Sequence, residues 1–301
     1  MSDNHKDLAR GIVEVFTAIF LWGVLPLYWK QLTRVPSDQI IANRIIWSFL
    51  FVFMILILQG RMKELFAQLK KGKSVVLYVS GIIITLNWFT YIYAVNSNQI
   101  IEASLGYYIN PLLTIFLGRV VLKEKLNSFQ LIAVVLAAIG VGIITFSFGR
   151  IPLIAVILAL TFSAYSLVKK RVDTEVVMGL SLETLAVLPL AIGYLLYQNV
   201  HGQPVYSSLS LREMLFILGT GIVTAIPLLL FSDGAKKVPL TTVGFIQYLS
   251  PTMSLLLGIY LYHESFTWIH ILTFSFIWTA LLIYSFSQVN GYARYKKYHR
   301  L

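Results

Sequence analysis

Five ionisable residues, Arg44, Glu102, Arg119, Glu183 and Asp233, stand inside long apolar stretches of this sequence. Holding such a charge at the middle of a bilayer costs about 2.5–3.5 kcal/mol on insertion scales, so each is expected to face a cavity, a partner or an interface. Arg44 lies about six residues, roughly 9 Å, inside its stretch. It could pair with Glu102, which enters from the same side but sits shallower, or stand ready for an anionic solute. Glu183 lies near the opposite side, where it could carry a coupled proton or pair with Arg119. Glu102 is the other candidate for proton coupling, and it also reads as an interfacial carboxylate capping its own helix. Asp233, beside Lys236 and Lys237, reads as interfacial.

Neutral groups extend the pattern. Glu102, Gly106 and Asn110 recur at i, i+4 and i+8, which places them on one helix face. Asn87, Trp88 and Tyr91 form a second polar and aromatic face, Asn43 flanks Arg44, Gln247 and Tyr248 form a further pair, and Trp22 stands in the first apolar stretch. Aromatics with a few amides suit a cavity for an amphiphilic or aromatic solute. The same residues also serve ordinary helix packing and membrane-interface belts. Pro111 and Pro251 each remove a helical hydrogen bond and are the candidate hinges.

The elements that must position these groups are transmembrane helices. Of 301 residues, 57% are hydrophobic and only 12% charged, about half the charge of a soluble domain. A spanning helix needs about 20 apolar residues. Ten such segments are predicted, at 11–29, 38–58, 75–95, 100–122, 128–146, 151–169, 178–198, 215–235, 240–262 and 268–286. The connection 59–74 places Met62, Leu65, Phe66 and Leu69 at helical spacing among basic residues, the pattern of a short interfacial helix or of a solvated basic loop.

Lys and Arg gather on the cytoplasmic side of membrane proteins. With the N-terminus inside, only Lys30, Arg34, Arg150 and Arg212 of the 24 Lys and Arg residues fall outside, and Arg44 and Arg119 lie within spans. All the others are cytoplasmic, as are both termini. Such loops account for the net charge of +11 without nucleic acid as a partner.

Shifting the sequence by 140 residues superimposes the first five spans on the last five. Tyr108-Ile109-Asn110-Pro111 then meets Tyr248-Leu249-Ser250-Pro251, Gly118 meets Gly258, Glu124 meets Glu264 and Trp22 meets Phe162. Five is odd, so the second copy enters the membrane from the opposite face. The fold expected is therefore an all-α integral membrane protein, with ten helices in two inverted five-helix repeats, 1–148 and 149–301. Inverted repeats recur in transporters that bind solute near the midplane and open alternately to either side. Helices five and ten carry no charge in their spans and are expected outside the cavity. Their small pairs Ala133/Ala137 and Ala138/Gly142 suggest a homodimer contact.

The chain resembles the RarD group of EamA-type transporters, in the drug/metabolite transporter superfamily. The likeness covers nearly the whole length. It is most specific at Pro36-Ser37-Asp38 through Arg44-Ile45-Ile46-Trp47-Ser48, at Asn87-Trp88, at Ala94-Val95-Asn96 and at Glu102-Ala103-Ser104-Leu105-Gly106-Tyr107. Gly244-Phe245-Ile246-Gln247-Tyr248 looks like the matching segment of the second half. The resemblance implies two inverted EamA repeats and a permease of the plasma membrane. Walker-type loops, HExxH and GxSxG are absent from the sequence, as are paired aspartates at an inner loop. The expectation is thus a non-ATP carrier of a small organic solute, with proton coupling open to it through Glu102 or Glu183, without metal or cofactor. A flippase for lipids or lipid-linked solutes is the alternative on the same fold. An intramembrane enzyme or a non-transporting scaffold is the reading from another class.

Overall fold

The computed structural model of the chain describes residues 2–32, 34–69, 74–96, 100–147, 149, 152–201, 206–253, 256 and 267–298. Regular structure among them is entirely helical. The α-helices are α1 (Ser2–Trp29), α2 (Ser37–Leu58), α3 (Met62–Leu69), α4 (Ser74–Asn96), α5 (Ile100–Val120), α6 (Ser128–Ser147), α7 (Leu153–Arg171), α8 (Val176–Val200), α9 (Leu211–Lys237), α10 (Leu240–Gln247) and α11 (Trp268–Tyr298). Eight of these are long and apolar enough to cross a membrane.

Eleven helices are thus described where ten spans are expected. The additional one, α3, occupies the 59–74 connection, with Leu65 buried and Phe66 exposed. The expected span 240–262 is only partly represented. α10 stops at Gln247, a turn follows at Tyr248, and helical backbone resumes over 249–253. Gly258 and Glu264 lie outside the described residues, as does Arg150.

Helix ends follow local chemistry. α9 opens with a capping box in which Ser210 accepts from the Glu213 amide and Glu213 accepts from the Ser210 amide. Glu175 caps α8 through the amides of Val177 and Met178. Lys169, Lys170 and Arg171 end α7, and Lys236 and Lys237 end α9, where cations complement the helix dipole.

The packing is interleaved. In the order α1, α9, α2, α8, α4, α7, α5, α10 each helix packs on the next, and α10 returns to α1. Every neighbour in this ring comes from the other half of the sequence. The 140-residue shift carries the pattern onto itself. It exchanges the partners within α2–α8, α5–α10 and α6–α11, turns α1–α9 into α7–α4, and turns α2–α9 into α8–α4. Gly81 on α4 and Gly221 on α9 are related by the same shift. A Cβ at Gly81 would overlap the backbone carbonyl of Glu183 on α8, and one at Gly221 would overlap that of Trp47 on α2. Glycine is required at both crossings because the backbones touch there.

α6 and α11 pack on one another beside α5 and α10, around Tyr108, Ile115, Phe245, Tyr248, Phe274 and Ile277. Ala133 and Ala137 are buried in that seam, and Gly140 meets Thr273 and Ile277. This pair of alanines serves packing within the chain. Ala138 is exposed, and a Cβ at Gly142 would meet only Phe146 among the described residues.

Candidate functional site

The ring encloses a cavity in which water centres can occupy about 140 Å³. α1 contributes Ile19, Trp22, Leu25 and Trp29, and α2 contributes Arg44. α4 gives Asn87, Trp88 and Tyr91, while α5 gives Gly106, Tyr107 and Asn110. α7 adds Leu158 and Phe162, and Gln247, Ser250 and Pro251 complete the wall at and just beyond the end of α10. Among the described residues of this lining, Arg44 alone carries a formal charge.

Arg44 is held on three sides. Its Nε donates to Thr224 Oγ1 on α9 at 3.1 Å. Its guanidinium lies 4.8 Å from the centre of the Trp29 ring and 4.5 Å from that of Trp88, two cation–π contacts that hold a planar cation between indoles. No carboxylate among the described residues lies within ion-pair distance of it. Glu102 does not pair with it.

The amides are anchored unequally. Asn87 Nδ2 donates to the Leu158 carbonyl and to Thr161 Oγ1, both at 2.8 Å, which ties α4 to α7. Asn110 Oδ1 accepts from Ser163 Oγ at 2.8 Å, which ties α5 to α7. Gln247 is 4% exposed, its Nε2 donates weakly to Ser166 Oγ at 3.4 Å, and its Oε1 has no hydrogen-bond partner among the described residues. Trp22 meets Phe162 edge to face at 5.4 Å and Phe231 at the same centroid distance, which closes the end of the cavity. Gly106 lets α5 approach α7 at Ala155 and Leu158.

Both prolines act next to this lining. A proline has no N–H for the carbonyl four residues before it. For Pro111, inside α5, that residue is Tyr107; for Pro251 it is Gln247. Tyr107 and Gln247 are themselves related by the 140-residue shift, and both line the cavity.

The remaining candidates lie elsewhere. Asn43 is buried, and its Oδ1 accepts from Tyr206 of the α8–α9 connection at 2.5 Å while its Nδ2 donates to the Gln39 carbonyl. Tyr248 packs in the α6–α11 core. Glu102 is buried and caps α7, accepting from the Ile154 amide at 2.7 Å. Glu124 does the same for α10, accepting from Leu240 and Thr241 at 2.6 and 2.9 Å. Glu183 does not meet Arg119, whose Nη1 donates to the Glu124 carbonyl at 2.8 Å. Its partner is Lys169 of α7 at 2.7 Å, with side chains 1% and 4% exposed, and Tyr165 reaches its other oxygen at 3.4 Å. Asp233 pairs with Lys237, which also binds Glu14 of α1 at 2.7 Å. Glu14 is a buried acid within the first span that the sequence reading leaves out; its i, i+4 spacing from Arg10 was the available signal.

Ile19, Leu25, Trp29, Tyr107, Leu158, Phe162 and Ser250 belong to the lining without having been singled out as candidates. For three of them the signal was the repeat: Phe162, Tyr107 and Ser250 are the 140-residue counterparts of Trp22, Gln247 and Asn110, which were.

The sequence profile described as the EamA-like transporter family matches twice, over residues 9–146 and 149–286. An uncharacterized transporter of Bacillus subtilis, YojE, is 46% identical over 95% of this chain and 97% of its own length. Protein RarD of Escherichia coli is 36% identical over 93% and 95%. A chloramphenicol-sensitive protein RarD of Pseudomonas aeruginosa is 26% identical over 91% and 93%. A crystal structure sharing 22% sequence identity superimposes with a TM-score of 0.67 over 91% of this chain and 96% of that one, a likeness of fold.

Proposed function

Because the chain belongs to the EamA-like transporter family, and is a multi-pass membrane transporter of the drug/metabolite type, we propose that it carries a small organic solute by alternating access without ATP. The cavity supports this reading most directly: a closed ring of helices around one guanidinium, several aromatic rings and three amides. Such a lining takes a solute that is part apolar and part polar.

The two matches of the family profile and the self-mapping contact pattern support two repeats, 1–148 and 149–301, inserted in opposite senses. On this reading ten spans cross the plasma membrane and both termini are cytoplasmic. Two copies in opposite orientation give an inward-open and an outward-open state of similar energy, which a carrier needs. Pro111 and Pro251 are the proposed hinges, since each loosens a helix at the cavity wall.

Glu183 is the proposed coupling group. Its proton would compete with Lys169 for the carboxylate, so protonation breaks an interhelical pair between α7 and α8. Glu102, spent on the end of α7, is assigned a structural role in preference to a coupling one.

Counterflow tests the reading. The purified protein in liposomes, preloaded with unlabelled solute, should speed entry of the same labelled solute, and the screen should include chloramphenicol. Stimulation by the trans solute is expected of a carrier and not of a channel. Absence of solute-dependent flux across a broad metabolite panel, with and without a pH gradient, would remove the transport assignment.

A further inference from the structure

We infer that the cavity selects a small organic monoanion, an aromatic carboxylate whose carboxylate docks on Arg44 between Trp29 and Trp88. The inference rests on the transport reading above and names the substrate class of the same site.

The argument begins with the donors. A guanidinium carries five N–H groups in a rigid fork. Only the Nε–H of Arg44 is used, by Thr224, while both Nη atoms make no hydrogen bond to a described residue. The guanidinium carbon lies over two indole rings, at 4.8 and 4.5 Å, which confines the head of the side chain to this wall. A buried cation without a counter-ion is costly, and the least costly cure is a planar anion that takes two parallel N–H···O bonds.

The charge balance then narrows the ligand. One cation lines the cavity and no Asp or Glu does, among the described residues. A single carboxylate neutralises it. A phosphate dianion would remain half-compensated, and a zwitterion would bring an ammonium group to a wall that offers it no carboxylate. The body of the ligand is set by Trp22, Trp88, Tyr91, Tyr107 and Phe162, rings against which a flat apolar group packs. Gln247 supplies the second polar point. Its amide lines the cavity and, among the described residues, makes one long hydrogen bond, to Ser166 Oγ at 3.4 Å, which leaves it to turn toward a ligand N–H or O–H distant from the carboxylate.

Matched probes test this without knowledge of the natural solute. Benzoate, 4-nitrobenzoate and indole-3-acetate are each compared with the corresponding neutral amide. Binding to the purified protein is read by quenching of tryptophan fluorescence, with isotope-labelled ligand as the check. Charge-assisted hydrogen bonds predict that acids bind about tenfold to a hundredfold more tightly than their amides. Arg44→Gln should abolish that preference, and Arg44→Lys should restore part of it. The comparison of acid with amide in the unaltered protein holds even where a variant fails to fold. Amides binding as well as acids, a preference that survives Arg44→Gln, or binding by none of the acids would each overturn the inference. Counterflow of the amides without acid preference would leave the carrier standing and remove only its anion selectivity.

Discussion

Trp22 and Phe162, 140 residues apart in sequence, meet ring to ring at 5.4 Å with their planes 84° apart. They are equivalent positions of the two halves, so the contact lies where one copy of the repeat touches the other. Both rings line the cavity and both touch Phe231. Trp22→Ala should lower counterflow by about tenfold, because the cavity loses a wall as well as apolar area. The exchange Trp22→Phe with Phe162→Trp keeps one indole and one phenyl at the seam and should retain most activity. Equal loss in both variants would show that the rings are not equivalent.

The inverted arrangement has a direct topological test, aided by a chain without cysteine. Single cysteines at Lys6, Arg34 and Ser147, all exposed, would be challenged on intact cells with a membrane-impermeant thiol reagent. Arg34→Cys and Ser147→Cys should label and Lys6→Cys should not. Ser147 is chosen over Gly149, whose φ of +74° would strain a cysteine. Labelling of Lys6→Cys together with Ser147→Cys would place both on one face and end the two-repeat reading.

The buried pair of Lys169 and Glu183 separates stability from coupling. Glu183→Gln leaves an ammonium without its counter-ion and should cost about 3–5 kcal/mol, read as a drop in melting temperature in detergent. Lys169→Met with Glu183→Leu removes both charges and should recover most of that loss. If Glu183 carries the coupled proton, the double variant is stable but has flux that no longer responds to a pH gradient. Gradient-driven flux in the stable double variant would rule that role out.

Proline gives a milder perturbation. Pro111→Ala with Pro251→Ala restores a backbone N–H within α5 and within the helical segment 249–253, and stiffens both at the cavity wall. The doubly substituted protein should insert normally, be at least as stable, and exchange solute several-fold more slowly, as measured by counterflow. Unchanged exchange would deny these helices a hinge.

Gly81 and Gly221 give the opposite phenotype. Gly81→Ala and Gly221→Ala each press a methyl group into a facing backbone, which cannot yield as a side chain can. Overpacking of this kind costs about 1–3 kcal/mol. The melting temperature should fall in both, by similar amounts, since the two crossings are equivalent. A fall in one alone would mean that the helix pairs α4–α8 and α2–α9 bear load unequally.

Much of this was legible in the sequence, for identifiable reasons. Apolar length located the helices, and α4, α5 and the end of α10 showed their polar faces because amides and glycines stand out against Leu and Ile. The α7 wall was hidden because Leu158 and Phe162 look like any lipid-facing residues. Lys169 counted only among the cytoplasmic charges because it stands in the last turn of its helix, where cations are commonplace. The bond from Glu102 to the start of α7 was hidden because capping partners come from whichever helix end lies nearest in space, and sequence distance carries no such information.

The alternating ring has a further consequence. Each of α1, α2, α4 and α5 leans chiefly on helices encoded beyond residue 149, so the repeated segment owns no interior. Residues 1–148 translated alone would turn Asn87, Asn110 and Arg44 toward hydrocarbon, with their partners Leu158, Ser163 and Thr224 missing. Such a fragment is prey for quality-control proteolysis rather than a miniature carrier, and synthesis must run deep into the second copy before the first can settle.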